Sequence, residues 1–136
     1  MERPELQPGA AHTVSYVVRD TDAASTFTLE AADAFPRVFA TSRMVSVMEV
    51  AAARAMRSLL GKGELSVGIS IDVTHTAPTP VGGTVRATAT FVAREGRRYV
   101  FDLVAVDDGG EIGRGRHVRA IVDTERLEAA AAARRS

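Results

Sequence analysis

The apolar positions between Thr41 and Leu60 recur at helical spacing and cover more than one side of the helix they would form. No other run is long enough and apolar enough to be a central helix. Thr41 or Ser42 can cap its start, and the glycines at 61 and 63 stop it. The pattern predicts a helix buried on most sides, which requires a sheet wrapped around it.

The remaining pattern predicts strands. A first strand falls within residues 12–19, and the clearest one alternates strictly through Leu65, Val67, Ile69, Ile71 and Val73. Continuing that alternation places His75 on the same apolar face. Three further strands follow, ending with residues 111–122, and turns at 78–83, 94–97 and 107–110 separate them.

For residues 20–40 the sequence predicts short irregular or helical pieces. A loop of that length is often a lid or a binding segment. Phe39 is expected to pack the helix entrance against the core. The element order indicates an α+β protein in which a curved antiparallel sheet of about five strands encloses one long helix, as in the hotdog fold. Because such a sheet completes its burial by pairing with a second copy, we expect a homodimer.

Length and charge narrow the function classes. A chain of 136 residues fits one domain over 1–136, with 1–11 and 124–136 expected to be flexible or peripheral. The 17 basic and 17 acidic residues argue against a nucleic-acid-binding surface or a polybasic membrane anchor. The absence of cysteine removes thiol chemistry and sulfur-ligated metals, and no apolar run is long enough to cross a bilayer. A cytoplasmic location is expected.

Glu49 is an unusual residue for a buried helix. Its neighbours three and four residues away include no cation, so it must pair at a distance, face a wet cleft or carry a raised pKa. An exposed strip of helix or an arginine across the fold explains it as well as catalysis does. His75 has its own ordinary explanation as a satisfied core or strand-end histidine, and Thr41 has one as a helix cap.

Four motifs together resemble the fluoroacetyl-CoA thioesterase family of hotdog proteins: Phe35 to Thr41, Met44-Val45 with Met48-Glu49, Val73 to Ala77, and Glu111-Ile112-Gly113 with His117 and Arg119. The resemblance spans nearly the whole chain in order. It implies a dimeric hydrolase of a small acyl-CoA that needs no cofactor or metal. It also implies a catalytic trio of Thr41, Glu49 and His75, and substrate-binding positions at Gly68, Arg119 and the gating aromatic Phe35.

Two departures concern the lid. Ala32 stands where the fluoroacetyl-specific member has a second aromatic residue, and Ser42-Arg43 replaces a glycine and aromatic pair. The resemblance therefore carries no requirement for a fluorinated acyl group. An enoyl-thioester hydratase that uses Glu49 and His75 as base and acid remains an alternative, as does a noncatalytic acyl-thioester or small-molecule binding module.

Overall fold

A computed structural model describes residues 2–135. Short 3₁₀ turns lie at Asp20–Asp22, Ala24–Thr26 and Arg57–Leu59. The strands and α-helices, in chain order, are β1 (Ala11–Val17), α1 (Thr41–Ala55), β2 (Glu64–His75), β3 (Thr84–Glu95), β4 (Arg98–Asp107), β5 (Gly110–Asp123) and α2 (Thr124–Ala133).

The five strands form one antiparallel sheet in the order β1-β3-β4-β5-β2, so β1 and β2 are its two edges. Helix α1 lies across the inner face, where Met44, Met48 and Ala51 are fully buried. Phe101 of β4 and Leu103 of the same strand are buried in the same cluster. The predicted α+β class and hotdog architecture are confirmed, and the helix is the centre of the core.

Helix α1 begins at Thr41 as predicted, but its end and its capping differ from the prediction. The helix ends at Ala55 rather than Leu60, and the following 3₁₀ turn places Leu59 in the core at 2% exposure. A 3₁₀ turn is wound more tightly than an α-helix, so it changes the direction in which the following side chains point. Here it directs Leu59 into the core. At the start, Ala40 is the N-cap residue and no side chain caps the helix. The expectation that Thr41 or Ser42 acts as the cap is wrong.

Strand β2 contains a β-bulge that the alternation of its side chains did not predict. Gly68 lies opposite Arg119 and Ser70 opposite Val118, so Ile69 has no partner in β5. An extra residue reverses which face each later side chain occupies. The prediction of a single apolar face from Leu65 through Val73 is therefore wrong. Residues 71, 73 and 75 face the helix together with Ser66 and Gly68, whereas Leu65 and Ile69 are exposed.

The segment before α1 is irregular, as predicted, and backbone hydrogen bonds fold it back on itself. The amide of Ala24 donates to the carbonyl of Val38, and the amide of Ala40 donates to that of Asp22. Phe39 is 1% exposed and packs near Tyr16, which confirms its expected role, whereas Phe35 is 54% exposed.

The two ends of the chain lie on the surface. Helix α2 has no buried residue, while Arg3 donates to the Leu59 carbonyl and to the carboxylate of Glu64. The hydrogen bonds from Arg3 and from the Gly61 amide lower the pKa of Glu64 to about 2. None of the helices in residues 2–135 combines the length and the hydropathy of a membrane span.

Candidate active site

The start of α1 brings Thr41 to the end of β2. The Thr41 hydroxyl and His75 Nδ1 are 2.8 Å apart and form a hydrogen bond. The other ring nitrogen, His75 Nε2, is buried and has no hydrogen-bond partner within residues 2–135. A buried polar nitrogen without a partner is costly, and such atoms concentrate where a substrate or another group completes the arrangement. The Thr41 hydroxyl thus bonds the imidazole and does not cap the helix.

Two turns further along α1, Glu49 faces the sheet. Arg119 Nη1 donates to Glu49 Oε2 at 3.0 Å, and the Glu49 side chain is 41% exposed. Two of the three explanations open to Glu49 apply together, since its charge pairs with a cation 70 residues away and it also reaches solvent. Arg119 itself is 5% exposed and is held by Ser66, to which it donates from Nε and from Nη2.

Gly68 makes room for the Glu49 carboxylate. A Cβ atom at position 68 would lie 2.8 Å from Glu49 Oε2 and 3.2 Å from His117 Cε1. Only glycine lets the carboxylate approach the β2 backbone this closely. The bulge after Gly68 allows this position to face the helix on the same side of the sheet as residues 71, 73 and 75.

His117 is a member of this cluster that the sequence did not single out as a site residue. It is 1% exposed, its Nδ1 lies 2.8 Å from the carbonyl of Ser70, and its Nε2 lies 3.0 Å from Arg119 Nη1. Burial lowers the pKa of His117, and the nearby Arg119 charge adds to that effect against the opposing influence of Ser70 and Glu49. Its place two residues before Arg119, on the same strand face, was the available signal.

The structure thus brings Thr41 and His75 together, and separately Glu49, Gly68 and Arg119. Thr41 and Glu49 are eight residues apart on α1, which corresponds to about 12 Å along the helix. Within one chain, the described residues show no hydrogen bond or ion pair between Glu49 and His75. The basic partners of Glu49 and the hydroxyl partner of His75 belong to two clusters.

Residues 20–40, which precede α1, are called the lid segment below. A cavity of about 500 Å³ lies between this segment and the first turns of α1. Its lining includes Thr21 and Phe27 from the lid and Ser42, Arg43 and Ser46 from the helix. The Ser42-Arg43 pair that departs from the family pattern therefore lies at the wall of a cavity beside Thr41. Within residues 2–135, no three His, Cys, Asp or Glu side chains are grouped as a metal site requires.

A central helix enclosed by an antiparallel sheet defines a hotdog protein. The hydroxyl and imidazole pair between the start of α1 and the end of β2 resembles an enzyme site. The sequence profile described as "Fluoroacetyl-CoA-specific thioesterase" matches residues 18–125. The chain belongs to this family.

Relatives and solved structures agree with that assignment. The fluoroacetyl-CoA thioesterase of Streptantibioticus cattleyicolor is 50% identical over 95 residues, which are 70% of this chain and 68% of the relative. A solved structure of the fluoroacetyl-CoA thioesterase FlK is 39% identical, with a TM-score of 0.91 over 98% of this chain and 100% of that one. A thioesterase superfamily member from Thermus thermophilus is 27% identical, with a TM-score of 0.81 over 92% and 90% of the two chains.

Proposed function

We propose that this protein is an acyl-CoA thioesterase that hydrolyses a small acyl-CoA to the free acid and coenzyme A. Family membership and the 50% identical relative support the reaction class. The observation that carries the proposal is the hydrogen bond between the Thr41 hydroxyl and His75 Nδ1. The proposal includes a cytoplasmic location and a coenzyme A thioester as the substrate, with no further cofactor.

Thioester hydrolysis needs a nucleophile or an oriented water, a group that manages its proton, and donors for the developing oxyanion. His75 accepts and returns the proton, since an imidazole changes charge near neutral pH. The Thr41 hydroxyl is within hydrogen-bond reach of the ring, which is the geometry of an activated nucleophile or of a group that orients water. Glu49 supplies the carboxylate, and Arg119 holds it in place rather than binding substrate, because four of its five N–H donors are already engaged.

A second copy of the chain completes this arrangement. Strand β2 is a 12-residue sheet edge with exposed Leu65 and Ile69, and long apolar edges of this kind are rarely left uncovered. If two β2 strands pair antiparallel about a twofold axis at Asp72, and the bulge residue Ile69 is again left without a partner, His75 lies opposite Gly68 of the partner subunit. Since Glu49 rests against Gly68, each site then joins His75 of one chain to Glu49 of the partner subunit.

The acyl group in this proposal is small and need not contain fluorine. A variant of FlK has been solved in complex with fluoroacetate and CoA; it is 42% identical, with a TM-score of 0.83 over 90% of this chain and 99% of that one. Here Ala32 is small, so Phe35, which is half exposed, has no second aromatic residue three positions before it. We therefore place acetyl, fluoroacetyl and other short acyl groups among the substrates.

Thiol release from a panel of acyl-CoAs tests the activity. We expect hydrolysis of short acyl-CoAs by the wild type, and a loss of about 10²- to 10⁴-fold in kcat for Glu49→Gln and for His75→Gln. His12→Gln on β1 is the matched control and should keep wild-type rates. Wild-type rates in both site variants would contradict the proposed site. Water addition to a short enoyl-CoA without thiol release would favour the hydratase, and ligand-induced stabilisation without turnover would favour the binding module.

A further inference from the structure

His117 is a fully buried imidazole that the proposed chemistry does not use. Its two ring nitrogens are both engaged, Nδ1 with the carbonyl of Ser70 and Nε2 with Arg119 Nη1. A carbonyl oxygen only accepts hydrogen bonds, so Nδ1 must carry the proton. A guanidinium only donates, so Nε2 must be the bare acceptor. The two partners together require a neutral ring in one tautomer.

Arg119 connects this ring to Glu49. Its Nη1 has two hydrogens, and the two acceptors within 3.0 Å are Glu49 Oε2 and His117 Nε2. The remaining contacts, from Nε and Nη2, both go to Ser66 of β2. Because the guanidinium is planar, fixing Nη1 between the ring and the carboxylate also fixes where the carboxylate must lie.

We propose that His117 is a positioning residue, which acts as the neutral acceptor that orients Arg119 and thereby holds the Glu49 carboxylate in its working place against Gly68. The inference deepens the proposed function and rests on Glu49 taking part in it. The chain of contacts begins at Ser70, beside the β2 bulge, and ends at Glu49.

The surroundings favour the neutral ring. The charged groups that face His117 are Arg119 from its own strand and Glu49 from α1, whose Oε2 is 3.9 Å from Nε2. Strand β2 contributes the uncharged Ser70 carbonyl, and β4 places Phe101 beside His117. Burial lowers the pKa of His117, because a charged ring would lose its hydration there. The positive charge of Arg119 lowers this pKa further.

The kinetic test compares two substitutions at position 117. In His117→Gln an amide oxygen can still accept from Arg119, whereas in His117→Leu the side chain has similar bulk and no acceptor. We expect His117→Gln to stay within about threefold of the wild-type kcat and His117→Leu to lose about 10- to 100-fold in kcat with little change in KM, because a misplaced carboxylate affects the transition state more than binding. His12→Leu is the control. Equal losses in both position 117 variants, with both folded by circular dichroism, would overturn the proposal.

The second test needs no substrate. Two-bond proton–nitrogen NMR correlations report which ring nitrogen of each histidine is protonated, with His117 assigned from the signal lost in His117→Gln. We expect a neutral His117 ring with the proton on Nδ1 at pH 7. A proton on Nε2, or a charged ring, would overturn the proposal. If no acyl-CoA is hydrolysed, the proposed function fails, and the ring measurement still decides whether His117 is the acceptor for Arg119.

Discussion

At the scale of single residues, Gly68 determines where the Glu49 carboxylate can lie. In Gly68→Ala the new Cβ would meet Glu49 Oε2 at 2.8 Å, and a flexible carboxylate moves away more easily than the strand does. We expect the variant to fold with nearly wild-type stability but to lose about 10- to 100-fold in kcat, since displacements near 1 Å are costly to catalysis. Urea unfolding and thiol-release kinetics measure the two effects.

Gly109→Ala is the matched control for that substitution. Its Cβ would lie 3.3 Å from Asp107 Oδ1, in the turn between β4 and β5. Activity should be unchanged there. Wild-type kcat in Gly68→Ala would show that the close approach of Glu49 to β2 is not needed for turnover.

The charge state of His117 also affects stability. Burial lowers the pKa of His117 below its ordinary value of 6.5, so on acidification the unfolded chain takes up the proton before the folded chain does. The unfolded state therefore binds more protons in that window, and the free energy of unfolding declines as the pH falls below about 6.5 toward the lower folded pKa. Urea titrations across this range should give a shallower decline for His117→Gln. An unchanged slope would contradict the depressed pKa.

At the scale of secondary structure elements, Asp22 fastens the lid segment to both of its neighbours. Its carboxylate accepts hydrogen bonds from the Tyr16 hydroxyl of β1 and the Arg19 amide, and Arg43 of α1 lies 3.7 Å away. Its carbonyl accepts from the amide of Ala40, directly before Thr41. Burial alone would raise the pKa of Asp22, but these donors and the two arginine charges lower it overall. The entry to α1, which has no side-chain cap, is held by this backbone bond and by the ion pair between the Asp22 carboxylate and Arg43.

Asp22→Ala should therefore destabilise the protein by about 2 to 3 kcal/mol, because it leaves the partners of a buried charged acceptor unsatisfied. We also expect a lower kcat, since Thr41 follows the segment that Asp22 holds. Urea unfolding gives the first value and thiol release the second. Asp102→Ala, which removes an exposed ion pair with Arg116, is the control and should cost less than about 1 kcal/mol. Equal effects of the two substitutions would contradict the anchoring role.

Most of the strands and helices could be predicted from local sequence patterns. Turn residues and alternation located all five strands, and helical spacing located α1. The bulge in β2 was not readable, because it depends on how that strand pairs with β5, some 50 residues away. Gly68 in the middle of a strand was a signal for it. The bulge has consequences for the site, since it lets Gly68 and Ser66, beside Glu49 and Arg119, share the inner face with residues 71, 73 and 75, while Leu65 and Ile69 are exposed.

Only part of the site could be predicted from the sequence, because its contacts also join residues that are far apart along the chain. Thr41, Glu49 and His75 were named through the family resemblance, but the spacing of residues along α1 does not show which of them meet. The pairing of Glu49 with Arg119 and the bond between Thr41 and His75 connect residues 70 and 34 positions apart. Such contacts are set by strand register and by helix placement rather than by local sequence.

At the scale of the whole molecule, the separation of Glu49 from His75 within one chain predicts an active site shared between two subunits. The protein should elute as a dimer with light-scattering detection. Co-expression of Glu49→Gln with His75→Gln should restore activity, because one site of each mixed dimer joins an intact His75 to an intact Glu49 of the partner subunit. Random mixing makes half of the dimers mixed, so recovery should approach about a quarter of wild-type turnover.

The matched control is co-expression of Thr41→Ala with His75→Gln. Thr41 and His75 contact each other within the same chain, so every site of that mixed dimer lacks one of them and no activity should return. Differently tagged subunits confirm that mixed dimers have formed. Recovery in the first mixture and none in the second places the carboxylate and the imidazole on different subunits. If mixed dimers of Glu49→Gln and His75→Gln form and stay inactive, the site lies within one chain, and α1 must then move by several ångströms to bring Glu49 to His75.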